Sequence, residues 1–105
     1  MAVLAIIHVT GCKTREYDTL RKDIRWEQNP PKGLIAHIAG TDKNGEMQVA
    51  DIWETENDFN NFAKSRLGPA FQKLNLPEPK PEMYPIHNVN VFEQIEQFRM
   101  AGMSR

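Results

Sequence analysis

Cysteine is nearly absent from this chain. Cys12 is the single one in 105 residues, which excludes an internal disulfide framework and fits a reducing compartment. An excess of charge of either sign is missing too. Thirteen basic residues stand against fourteen acidic ones, so there is neither a basic footprint for nucleic acid nor an acidic tail. No apolar run is long enough for a bilayer. The opening stretch Ala2 to Val9 is short and has no basic segment ahead of it, so it reads as neither a transmembrane helix nor a secretory signal. A glycine-rich phosphate loop, a nucleophile elbow and a dinucleotide fingerprint are all lacking, as is any compact His/Cys spacing for a metal. The expectation is one small soluble domain in the cytoplasm, with no cofactor, no metal, no nucleic-acid partner and no membrane partner.

Ala2 to Val9 is β-branched and apolar at both parities. Val3, Ala5, Ile7 and Val9 share one face and Leu4, Ile6 and His8 the other, the pattern of a strand covered on both sides. Thr14 caps a predicted helix to about Gln28, with Tyr17, Leu20 and Ile24 as its buried stripe. Trp26 falls opposite that stripe, either at a frayed end or facing a partner. Leu34 to Ala39 and Met47 to Trp53 are the next strands, joined by the turn signal Asn44-Gly45. A tight two-residue turn sets His37 opposite Ile52 and Ala36 opposite Trp53; a longer loop changes that register. Thr55 caps a helix carrying Phe59, Phe62 and Leu67, which Gly68-Pro69 ends before a short second piece with Ala70, Phe71 and Leu74. Prolines 77, 79 and 81 make an extended connector, and Met83 to Phe92 regains strand character. The remainder, with Ile95 and Phe98, is either a terminal helix or a loose tail.

The order β-α-β-β-α-β is the ferredoxin-like arrangement, an α+β fold with a four-stranded antiparallel sheet and helices on one face. Two helices cover one side only, yet the strands are apolar on both. A bare face of that kind exceeds the patch size monomers usually tolerate. Burial is favourable by roughly 25 cal/mol per Å². The simplest cover is a second copy, sheet against sheet, which predicts a homodimer through the helix-free face.

The stretch Val49-Ala50-Asp51-Ile52-Trp53-Glu54-Thr55-Glu56-Asn57-Asp58-Phe59, together with Gly33-Leu34-Ile35-Ala36-His37 and Arg66-Leu67-Gly68-Pro69-Ala70, resembles the dimeric α/β-barrel superfamily. Within it the likeness is to antibiotic-biosynthesis-monooxygenase-like proteins, and it spans residues 1–93, leaving 94–105 as a C-terminal tail. The resemblance implies a cofactor-independent oxidation or isomerisation of a small aromatic or quinone-like substrate. The alternative is a non-catalytic homodimeric ligand-binding or regulatory module. Haem-degrading relatives place a histidine where Gln72 stands here, a tryptophan at Phe62 and an asparagine near His8, so haem breakdown by their route is not expected.

Three histidines fall on predicted strands. His8 and His87 are expected on neighbouring strands, with His37 farther away, an arrangement awkward for a three-histidine zinc site. His37 and His87 are the candidate proton carriers, since imidazole titrates near neutral pH. Asp51 is an acid inside an apolar strand, where a charge needs a partner. It is either a structural hydrogen-bond acceptor or the residue that orients an imidazole. A His37–Asp51 pair requires the longer-loop register or the second subunit. Trp53, Phe59, Phe62, Phe71 and Tyr84 are the candidate pocket for a small aromatic ligand, or else plain core. Cys12 has no visible catalytic partner.

Overall fold

The computed structural model describes residues 1–99. Strands β1 (Val3–Val9), β2 (Leu34–Thr41), β3 (Met47–Trp53) and β4 (Glu82–Pro85) form one antiparallel sheet in the order β2-β3-β1-β4. Helix α1 (Thr14–Ile24) follows β1, and α2 (Glu56–Phe62) and α3 (Gly68–Lys73) lie between β3 and β4. This is the ferredoxin-like α+β topology.

The core lies between the sheet and the helices. Val3, Ala5, Ile7 and Val9 of β1 and Met47, Val49 and Trp53 of β3 are buried against Leu20, Ile24, Phe59, Phe62, Ala70 and Phe71. The opposite side carries Leu4 and Ile6, Ala50 and Ile52, Ala36 and Ile38, and Tyr84, all in register across the four strands. Within one chain Ile38 is 58% exposed and Tyr84 47%.

The β2–β3 connection differs from a two-residue turn. The Asp42 N–H donates to the Glu46 carbonyl and Gly45 N–H to the Asp42 carbonyl, enclosing the three-residue loop 43–45. Gly45 sits at φ +81°, the left-handed position that closes such loops. The extra loop residue slides the register by one, so His37 faces Asp51 and Ala36 faces Ile52. A bulge between Leu34 and Ala36 then returns Leu34 to Trp53 and to the helix side.

Four further boundaries depart from expectation. Helix α1 stops at Ile24 because Arg25 turns left-handed, at φ 60°, with its N–H on the Arg21 carbonyl. Its cap is Lys13 rather than Thr14, and Lys13 N–H donates to the Glu16 carboxylate at 3.0 Å. Gly68-Pro69 does not end the second helical run. Ala63–Leu67 widens into a π turn, the Gly68 N–H reaches back to the Ala63 carbonyl, and the chain continues helically past the proline. Strand β4 is only four residues long, since it runs out together with β1: Val3 pairs with Pro85 and the Ala2 carbonyl accepts from Ile86 N–H. Glu93–Phe98 makes a short 3-10 turn, and the rest of the expected tail lies outside the described residues. Among the described residues, no helix is long and apolar enough to cross a membrane.

Candidate functional site

Residues directly opposite on an antiparallel pair point to the same face, so the shifted register alone brings His37 and Asp51 together. His37 Nδ1 and Asp51 Oδ1 are 2.7 Å apart. The other carboxylate oxygen, Oδ2, accepts the Trp53 indole N–H at 3.1 Å. On the far side of Asp51 the β1 partner is Ala5, small and fully buried, which leaves room for the carboxylate at the sheet centre. Asp51 itself is 4% exposed. Burying such a group is costly unless its lone pairs are used, and here both oxygens have donors. Among the described residues no buried side-chain polar atom lacks a partner.

The chain of bonds continues through the ring. The Tyr17 hydroxyl lies 2.7 Å from His37 Nε2. An ionised Asp51 takes a proton only from Nδ1–H, so a neutral imidazole carries its hydrogen on Nδ1 and accepts the tyrosine hydroxyl at Nε2. Trp26 completes the surround, its ring centroid 4.7 Å from that of His37 and 5.6 Å from Tyr17. The turn carrying Trp26 is tied back to α1 by Arg21 Nε on the buried Glu27 carboxylate at 2.7 Å. Arg66 Nη2 on the Ile24 carbonyl at 2.6 Å holds the end of α1 to the π turn.

These groups line a cleft between sheet and helices. Its walls are otherwise apolar, including Ile7, Leu20, Leu34, Val49, Leu67 and the Phe62 and Phe71 rings. The cleft holds a cavity of about 40 Å³ that opens to the surface. A molecule the size of an aromatic ring requires the walls to part.

Two groups in the wall have displaced titrations. Burial pushes the Tyr17 hydroxyl well above the usual phenol range, and the Glu27 carboxylate adds to this. The Cys12 thiol is pushed up to about 11, chiefly by burial and also by Glu16 and Glu46. Cys12 is therefore a neutral thiol at physiological pH, unsuited to act as a nucleophile.

The other candidates separate. His87 is exposed and lies beyond the end of β4, so it is neither on a strand nor in the cleft wall. Trp53, Phe62 and Phe71 line the cleft, whereas Phe59 is core, packed edge-on to Trp53 at 5.6 Å. Tyr84 stands opposite Leu4 on the helix-free face and donates to Glu82. His8 is on that face too, at the other end of β1 from the strand pairs that hold β4. There it meets Glu46 at 3.2 Å and Asp42 at 4.0 Å, with the Gln48 amide alongside. These three ionisable groups could offer ligand atoms to a cation. Each carboxylate is already engaged by backbone N–H groups, Asp42 by Asn44 and Glu46, Glu46 by Gly11. Tyr17 and Trp26 were not singled out as site residues from the sequence. The available signal was Tyr17 itself, a polar-tipped aromatic in a helix stripe otherwise made of Leu20 and Ile24.

No protein-family model matches the sequence, and no curated protein matches it. Solved structures do. SnoaB, a cofactor-independent oxygenase from Streptomyces nogalater, superposes with a TM-score of 0.55 at 12% identity, over 84% of this chain and 93% of its own. A protein from Deinococcus radiodurans, provisionally identified as an antibiotic biosynthesis monooxygenase, gives 0.55 at 14%, over 88% and 99%. The hydroxynitrile lyase of Passiflora edulis gives 0.55 at 18%, over 86% and 97%. The chain shares the ferredoxin-like α+β fold of these structures.

Proposed function

We propose that this protein is a small-molecule enzyme whose chemistry is proton transfer, with His37 as the base and Asp51 as the group that orients it and balances its charge. The observation that carries the reading is the buried Asp51–His37 pair opening into an apolar cleft. In a dry wall an imidazole backed by a carboxylate gains a proton without leaving an unpaired charge. Removing a proton from a weakly acidic substrate is the shared first step of oxidation by dioxygen and of isomerisation. Two proteins of the same fold, named as an oxygenase and a lyase, fit that reading. A quinone-like or phenolic substrate remains the class we favour, entering as the cleft widens. We also propose a cytoplasmic homodimer, mated through the face that carries Ile38, Ile52 and Tyr84.

The test is ligand-induced thermal stabilisation across phenols, quinones, anthrones and small nitroalkanes. A binder raises the melting temperature in proportion to the logarithm of its concentration, and His37→Ala removes that rise. Stabilisation of equal size in His37→Ala and wild type would refute the assignment. If no compound binds and the cleft stays closed, a non-catalytic module is the better description.

A further inference from the structure

Both ring nitrogens of His37 are already engaged by the protein, Nδ1 by Asp51 and Nε2 by Tyr17, each at 2.7 Å. A substrate therefore cannot meet the imidazole without displacing the tyrosine. We propose that the Tyr17 hydroxyl is the catalytic residue that touches the substrate, acting as a proton shuttle to His37, and that the substrate enters uncharged. This rests on the proton-transfer reading above.

The step balances as follows. The substrate C–H or O–H bond breaks and its proton joins the Tyr17 oxygen. The hydroxyl's own proton passes to His37 Nε2. The electron pair stays on the substrate, and the products are a substrate anion and an imidazolium held by Asp51. No tyrosinate forms. That matters because the surroundings oppose a charge on Tyr17: it is largely buried, and the Glu27, Asp51 and Asp18 carboxylates face it, with Arg21 alone acting the other way. The imidazolium that forms is held at Nδ1 by the Asp51 carboxylate. A phenol hydroxyl accepts while it donates, so Tyr17 Oη retains a lone pair for the incoming proton. Among the described residues, the lining side chains include no lysine or arginine. An anionic substrate would find no counter-charge there, whereas a neutral weak acid acquires its counter-ion, the imidazolium, as it ionises.

The probe is nitroethane, a neutral carbon acid of five heavy atoms, smaller than any aromatic ring. Exchange of its α-hydrogens for deuterium in D2O is followed by proton NMR, with added protein over a buffer control. Wild type is expected to accelerate exchange. Tyr17→Phe, which keeps the ring and its packing, is expected to lose at least tenfold of that acceleration, and His37→Asn all of it. If His37→Asn loses it while Tyr17→Phe exchanges as fast as wild type or faster, the uncapped imidazole is meeting the probe directly. The shuttle is then wrong and the base assignment stands. If wild type gives no acceleration, or His37→Asn keeps it, the base assignment fails and the shuttle with it. Melting curves confirm that each variant is folded. Should His37→Asn not fold, side-chain nitrogen NMR of wild type gives a second reading. Hydrogen on Nδ1 with Nε2 accepting supports the shuttle, and hydrogen on Nε2 overturns it.

Discussion

Asp51 accepts from two side chains that come from different strands, His37 Nδ1 at 2.7 Å and Trp53 Nε1 at 3.1 Å, so one buried carboxylate joins the His37 imidazole to the largest fully buried ring of the core. Asp51→Ala would leave the indole N–H and the imidazole N–H without their acceptor in a mostly buried, apolar site. Loss of one partner of a buried polar pair costs about 2–4 kcal/mol. Urea unfolding is expected to show a midpoint lowered accordingly, with Asp51→Asn intermediate because the amide oxygen still satisfies one donor. A midpoint unchanged in Asp51→Ala would mean that water reaches these groups.

Trp26 is buried beside His37 and Tyr17, where it both packs the cleft and shields the imidazole. Trp26→Ala removes a large ring from a packed site, at about 3–5 kcal/mol for core aromatics. The figure here lies at the lower end, because the turn can settle into the gap. Trp26→Phe restores most of the stability. The check is the difference between the two variants in a single denaturation series.

The site shows what a sequence reading reaches and where it stops. Alternation placed β1 and β3 correctly and set their faces, since a period of two leaves little choice once one face is buried. The His37–Asp51 pairing hinged on one loop residue. Asn44-Gly45 marks a turn equally well in a two-residue or a three-residue loop, and only the Asp42 to Glu46 hydrogen bond decides between them. Trp26, read as either a frayed helix end or a partner-facing residue, falls just past the end of α1. Helix periodicity assumes the helix goes on, whereas Arg25 adopts a left-handed cap that nothing in its side chain announces. Pro69 sits in the first turn of the short α3, where its missing N–H costs nothing, but the π turn joins that piece to α2 without the expected break. His87 was assigned to a strand from its apolar neighbours, but a strand exists only where it has a partner, and the ladder to β1 ends before it.

Alkali should destabilise the fold through two buried acids. The Cys12 thiol titrates near 11 when folded, against 9.0 for a free thiol, and the Tyr17 hydroxyl is raised as well. A raised folded value means that the native state keeps its proton where the unfolded chain has lost it. Stability is then complete below about pH 9 and falls as pH rises toward 11. For Cys12 the total is on the order of 2 kcal/mol. Urea midpoints measured at pH 8 and pH 10.5 are expected to drop in wild type. Both Cys12→Ala and Tyr17→Phe should flatten that drop, each removing its own share.

Gly33 and Gly45 both sit at positive φ, yet they differ in surroundings. A Cβ on Gly45 would meet only the flexible end of Lys13, while one on Gly33 would overlap the Asp58 side chain at the start of α2. Strain from the left-handed backbone costs each about 1 kcal/mol. Gly33→Ala adds the displacement of Asp58, so it is expected to lower the melting temperature more than Gly45→Ala. Equal losses would show that the Asp58 side chain swings away freely.

Ile38 offers the sharpest test of the paired assembly, since it lies midway along edge strand β2 on the helix-free face and is 58% exposed in the single chain. A charge placed there touches none of the core between sheet and helices. Ile38→Asp should therefore leave the monomer's fold and far-ultraviolet circular dichroism intact. In a mated face, by contrast, an unpaired carboxylate opposes association by several kcal/mol, enough to shift a micromolar dimer wholly to monomer. Sedimentation equilibrium at micromolar protein is expected to give twice the 12.1 kDa chain mass for wild type and the single mass for Ile38→Asp. A wild-type protein that sediments at 12.1 kDa would show that water, rather than a second copy, covers the face.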